Sequence, residues 1–242
     1  MRRSANQTQA NLSTQSNMKT ANQKPSPRIS LLVAALLSGL VGLISTNSLR
    51  ADQNLLTNGD FEAGNSGFLS DCLYKPGGFL NESQFDVTTD PFLVHNFPGT
   101  YSFGDHTTGA GEMLVVNGTT DSTLKIWSET VTVAAHTSYA FTGWVSSWRG
   151  MNFSNLRLTV NGSPVLDFWS PSDPAVWQPF TALWSSDAGT SAVLAIYDLS
   201  TDQSGNDFAL DDLSFAVPEP SALAIVCCAM AIASLGRKYP CT

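Results

Sequence analysis

Basic residues are scarce in this 242-residue chain, where 12 Lys and Arg face 20 Asp and Glu. Between positions 52 and 216 only Lys75, Lys125, Arg149 and Arg157 stand against nineteen carboxylates, a balance of fifteen negative charges. A surface of that sign repels phosphate backbones, which argues against nucleic acid as a partner. Cysteine is also sparse. Cys72 is alone in that interval, so no disulfide can form within it, and a lone buried or partly buried thiol is expected. Cys227 and Cys228 are adjacent in an apolar tail and Cys241 lies beyond it, an arrangement unsuited to a metal site. His95, His106 and His136 are too far apart for a zinc set, and no His-Glu-x-x-His occurs. A Gly-x-Ser-x-Gly elbow is missing too, so scattered Ser, His and Asp give no triad. Helical periodicity is absent from the middle of the chain, and long apolar runs occur only near its ends.

Those ends have a recognisable layout. Residues 1–28 are polar, with Arg2, Arg3, Lys19, Lys24 and Arg28 and no acid; an apolar run Ile29–Ile44 and a polar Ser45–Arg50 follow. This is the order of a secretory signal peptide, 1–51, cut after Ala51, with an uncleaved anchor as the alternative. At the other end stand Pro218-Glu219-Pro220, an apolar run Ala222–Leu235, and Arg237-Lys238. The uncharged segment 221–236 reaches about 24 Å, somewhat short of a hydrocarbon core of roughly 30 Å. The basic pair favours a span, so a transmembrane segment 221–236 is expected, with a buried core helix as the competing reading. The tail, 217–242, resembles the PEP-CTERM sorting tail of Gram-negative bacteria that make extracellular polysaccharide. That resemblance implies a sorting motif of Pro218, Glu219, Pro220, Arg237 and Lys238, recognised by an exosortase-type membrane protease. It also implies export, with transient anchoring in the inner membrane and delivery to the cell surface or extracellular matrix.

The remaining 52–216 suits one domain. Candidate strands are Leu55–Phe61, Phe92–His95, Glu112–Asn117, Thr123–Val133, Ser138–Trp148, Leu156–Val160, Pro164–Phe168, Trp177–Ser185, Ser191–Asp198 and Phe208–Phe215. They are short, rich in Val, Thr and aromatics, and punctuated by Asn-Gly turns; Asn161-Gly162 predicts a hairpin. The expected fold is all-β, a two-sheet jelly-roll sandwich, flanked by the N-terminal signal segment and a C-terminal transmembrane sorting helix. Phe208 and Leu210 are out of phase with Leu213 and Phe215. Burying all four requires an extra residue at Asp211-Asp212, a β-bulge. Two adjacent carboxylates repel unless solvated or bridged by a cation such as calcium.

Asn54-Leu-Leu-Thr-Asn-Gly-Asp-Phe-Glu62 with Gly67-Phe68, and the closing Gly205-Asn206-Asp207-Phe208-Ala209-Leu210-Asp211-Asp212-Leu213-Ser214-Phe215, resemble the first and last strands of galactose-binding-like jelly rolls in bacterial carbohydrate-binding modules. The resemblance implies a structural calcium tying those strands together, with Glu62 and Asp212 as main ligands and Asp60 and Asp211 contributing. The alternative is that Asp60 and Glu62 are solvated strand ends.

Sugar recognition needs flat aromatic faces beside hydrogen-bonding groups. The first candidate face is Trp144 and Trp148 with Arg149, Asn152 and Asn155; the second is Trp169 beside Asp167. The bland account buries most of the six tryptophans in the core. No catalytic residue is assigned. The expected function is an exported, non-catalytic surface or matrix protein binding extracellular polysaccharide. A purely structural matrix or adhesion protein is the alternative, and a polysaccharide-acting hydrolase the least favoured.

Overall fold

The computed structural model describes residues 53–218, and the signal segment 1–51 and the sorting residues Glu219, Pro220, Arg237 and Lys238 lie outside them. The described strands are β1 (Leu73–Tyr74), β2 (Gln84–Thr88), β3 (Met113–Asn117), β4 (Lys125–Thr132), β5 (Ser138–Ser147), β6 (Asn155–Val160), β7 (Ser163–Trp169), β8 (Gln178–Ser185), β9 (Ser191–Asp198) and β10 (Phe208–Ala216). One helical turn, α1 (Pro91–Val94), follows β2.

Strands β3 to β10 form a jelly roll. One sheet runs β3-β10-β5-β8 and the other β4-β9-β6-β7, each strand antiparallel to its neighbours. Strands β2 and β1 extend the first sheet beyond β3. Alternation places Tyr139, Phe141 and Val145 of β5 and Ala192, Leu194 and Ile196 of β9 in the space between the sheets. Aromatic pairs fill its centre; Phe168 and Phe180 stack at 4.1 Å and Tyr139 and Phe215 at 4.9 Å. Each large apolar side chain removed from water there stabilises the fold by about 1.5–3 kcal/mol.

Strand β3 is buried on both faces. Leu114 and Val116 enter the main core, whereas Met113 and Val115 join Leu80, Val94, Trp148 and Ala209 in a second small core. The second core places α1 and the β1–β2 loop over the outer face of the larger sheet.

The bulge is where the sequence phase puts it. Asp211 pairs with Trp144 and Ser214 with Thr142, three steps on β10 against two on β5, and Asp212 has φ of 49°. Phe208, Leu210, Leu213 and Phe215 are all buried in consequence. Asn161 and Gly162, at φ 52° and 76°, close the β6–β7 hairpin as expected of an Asn-Gly turn.

Three expectations need correction. Residues 55–61 are not a strand, because Asn58 and Phe61 adopt φ of 55° and 56° and bend the chain. The segment still laps the last strand, through Leu55 N–H to Phe215 O and Leu213 N–H to Gly59 O. Residues 92–95 are not a strand either. Asp90 caps Phe92 N–H and Pro91 takes the first helical position, so the chain turns into α1. Thirdly, the flanking transmembrane helix is withdrawn from the fold class: among the described residues no helix is long and apolar enough to cross a membrane. The segment assigned to it, 221–236, lies outside those residues. Strands β1 and β2 escaped the sequence reading because the first has only two residues and the second lies in a stretch rich in acid and amide.

Candidate functional site

Loops after β1, after α1, after β5 and before β10 converge on a cleft of about 180 Å³. Its lining includes Phe79, Glu82, His95, Phe97, Arg149 and Asp207. The floor is the second core, where Trp148 is fully buried and its Nε1 donates to Val116 O and Phe208 O. His95 lies over that indole at 5.0 Å. The Leu80 carbonyl lies 3.1 Å from His95 Nδ1 and can only accept, so Nδ1 carries the proton and Nε2 accepts from Arg149, 3.4 Å away. Burial, and then the Arg149 charge, hold the imidazole below its ordinary pKa, against the pull of the Leu80 bond.

Arg149 is the cleft's cation. Its Nε lies 3.7 Å from Asp207 Oδ2, and its guanidinium sits 5.8 Å above the Phe97 ring. Burial pushes Asp207 up to about 7, against the Gly118 N–H bond and the Arg149 charge. Glu82 is also raised by burial, with Arg149 opposing, and one of its carboxylate oxygens is buried with no hydrogen-bond partner. Phe79 and Phe97 stand at the rim, 47% and 53% exposed. Gly205, at φ 98°, passes against the Met151 backbone where any side chain would collide.

The residues expected at a sugar face are thereby divided. Arg149 lines the cleft, and Trp148 lies beneath it with no face for a ligand. Asn152 donates to Ser204 O at 2.6 Å and braces two of the loops. Trp144 is half-buried under His106, the rings stacked at 3.7 Å. Asn155, Asp167 and Trp169 lie elsewhere, on the outer face of the smaller sheet. There Asp167 accepts two bonds of 2.7 Å from Arg157, and Trp169 is 56% exposed. Phe79, Glu82, His95, Phe97 and Asp207 were missed as a group, since spacing could not bring their three loops to that of Arg149. Asp207 carried a signal, as part of the closing motif.

The four carboxylates expected to bind calcium, Asp60, Glu62, Asp211 and Asp212, line one cavity together with Asp105. Half of their oxygens already hold donors, Glu62 Oε1 among them, which accepts from Glu112 N–H. Asp211 accepts from the N–H groups of His106 and Asp212, and Asp212 Oδ2 faces His106 Nδ1 and the Thr107 hydroxyl. Burial still raises Asp211 to about 7, as do the nearby Asp212 and Asp105, against its two N–H bonds. Asp105 meets desolvation too, yet four bonds from Thr108, Gly111 and Ala110 carry it below its ordinary value. Among the described residues no group of three or more His, Cys, Asp or Glu side chains is placed to hold a metal ion. Cys72 is a buried free thiol that burial pushes up to about 11, unsuited to nucleophilic use at neutral pH.

No protein-family model and no curated protein sequence matches the chain. Solved structures do. The CBM22-1 xylan-binding domain of Paenibacillus barcinonensis Xyn10C aligns at 19% identity and a TM-score of 0.47, over 72% of this chain and 100% of that one. TmCBM61, solved with β-1,4-galactotriose, aligns at 13% identity and 0.42, over 68% and 98%. The sugar-binding C-terminal domain of EclA aligns at 20% and 0.35, over 38% of this chain and 66% of its own length. Each of these alignments has a TM-score below 0.5, and the ligands named belong to those proteins.

Proposed function

We propose that this protein is an exported, non-catalytic surface or matrix protein whose sandwich binds extracellular polysaccharide through the loop cleft. The observation that carries this reading is the pairing of exposed Phe79 and Phe97 with Arg149, Asp207 and Glu82 in one recess. Apolar ring faces beside fixed donors and acceptors are what a pyranose requires, with its C–H faces and its hydroxyl edges. Export rests on the signal-like start and on the resemblance of Pro218-Glu219-Pro220 to a sorting motif, and an exosortase-type protease is the partner proposed for that motif.

Calcium is part of the proposal in a limited role. The oxygens left without a donor in the carboxylate cavity are those of Asp60, Glu62 Oε2 and Asp212 Oδ1. A calcium ion there would draw on backbone carbonyls and water for the rest of its six to eight ligands.

Affinity electrophoresis of the full chain through gels containing xylan, galactan, mannan or β-glucan tests the function. At least one polysaccharide should retard it, and Phe79→Ala should abolish the retardation while Trp169→Ala leaves it unchanged. Loss in the Trp169 variant alone would move the site to the smaller sheet. Absence of retardation by any polymer would favour the purely structural reading, which the burial of Trp127 and Trp148 also suits. Release of reducing sugar would favour a hydrolase acting through the two cleft carboxylates.

A further inference from the structure

The geometry points to a narrower ligand for this cleft: one pyranose ring without a carboxylate, at a chain end or branch, held by two neighbouring hydroxyls between the Glu82 and Asp207 carboxylates and the Arg149 guanidinium. The inference rests on the polysaccharide-binding reading above and adds what part of the polymer is read and which sugars are refused.

Size is the first reason. A recess of about 180 Å³ lies below the ~300 Å³ at which pockets for larger organic ligands begin. It has room for one ring, not for a row of them. An internal stretch of a polymer needs a groove open at both ends, whereas a terminal or branch residue needs only a recess.

Unspent hydrogen-bonding capacity is the second. Glu82 keeps a buried oxygen without a partner. Asp207 Oδ2 is 3.7 Å from Arg149 Nε, beyond hydrogen-bond length. The Arg149 guanidinium makes one hydrogen bond, a long one of 3.4 Å to His95. Two acceptors thus flank a donor with free N–H groups, all partly withdrawn from water. Leaving such groups unmet is costly, and each has the complement a sugar supplies. A hydroxyl donates one hydrogen bond and accepts others. Adjacent hydroxyls can therefore donate to the two carboxylates and accept from the guanidinium together.

Charge supplies the exclusion. A uronate carboxylate entering the recess would face Glu82 and Asp207 as well as the strongly acidic surface around them. A neutral ring does not meet that penalty.

Isothermal titration of the full chain tests this, using the methyl glycosides of glucose, galactose, mannose and xylose, with methyl glucuronide and methyl galacturonide as acidic counterparts. At least one neutral glycoside should bind and release the protein from the polysaccharide that retards it. The matching uronide should bind about tenfold more weakly or not at all. Arg149→Lys, which keeps the charge and loses the planar fork, should weaken the neutral sugar about tenfold. Glu82→Gln should narrow the gap between neutral and acidic sugar, and unchanged melting curves would confirm that both variants fold. Equal or tighter binding of the uronide overturns the inference. So does a polysaccharide that binds while no single-ring glycoside displaces it, and in that case the polysaccharide reading stands. If neither polymer nor glycoside binds, both readings fall.

Discussion

His106 Nδ1 lies 2.6 Å from Asp212 Oδ2, so the 105–111 loop is fastened to the bulge of the last strand across more than a hundred residues of sequence. The same carboxylate oxygen takes the Thr107 hydroxyl, and the imidazole lies flat on Trp144. Asp212→Ala removes the acceptor from both donors and places alanine at φ 49°. It should destabilise the protein by about 1–3 kcal/mol. Asp212→Asn keeps an acceptor oxygen and suits a positive φ, so it should cost less than half of that. Urea melts of the two variants decide the matter; equal losses would show that the clasp contributes little.

Trp148, first expected at a sugar face, is a core residue. Trp148→Ala should cost about 3–5 kcal/mol through the cavity it leaves in the second core. Trp148→Phe should cost about 1–3 kcal/mol and leave polysaccharide retention of the folded protein intact. Denaturation and gel retardation of the same variant separate the roles; retention lost in a stable Phe variant would return the indole to the binding surface.

Stability should fall as pH rises through neutrality. Burial raises Asp198, Asp207 and Asp211 to about 7 from 3.8. Their contribution is fully present below 3.8, where folded and unfolded chains are both protonated, and is lost as pH rises through about 7. Asp105 acts in the opposite sense, its stabilisation present above 3.8 and lost as pH falls through its depressed value. His95, held neutral, also favours the higher pH, but one imidazole opposes three carboxylates. The melting temperature should therefore peak in the mildly acidic range and drop by several degrees towards pH 8, since ~1 kcal/mol moves it by about 2–4 °C. Asp198→Asn should flatten that slope, and a melting temperature still rising at pH 8 would refute the assignment.

Calcium should act weakly at the carboxylate cavity. With so many oxygens already bonded, an affinity in the range of extracellular modules, about 0.1–1 mM, is expected. At ten times the dissociation constant the ion adds roughly 1.4 kcal/mol, a rise of about 3–5 °C. Glu62→Ala should abolish the rise. No rise in the unaltered protein would assign the cavity's charge balance to the loop donors alone.

The sequence by itself determined the sandwich. Period-two apolar patterning in β5 and β9 fixes which faces meet, Asn161-Gly162 closes its hairpin, and the phase break at Asp211-Asp212 demands the bulge, because these are local rules of backbone geometry. Local rules were misread where turn chemistry outweighed β-propensity: Asn58 in the left-handed region ended one expected strand, and the Asp90 cap with Pro91 turned another into a helix. The loop cleft was decided by tertiary structure alone. Phe79, His95, Arg149 and Asp207 come from four loops, and no spacing rule relates residues whose meeting depends on how two sheets close. The same holds for burial: Trp148 and Trp169 look alike in the chain, and only packing puts one under the cleft and the other in water.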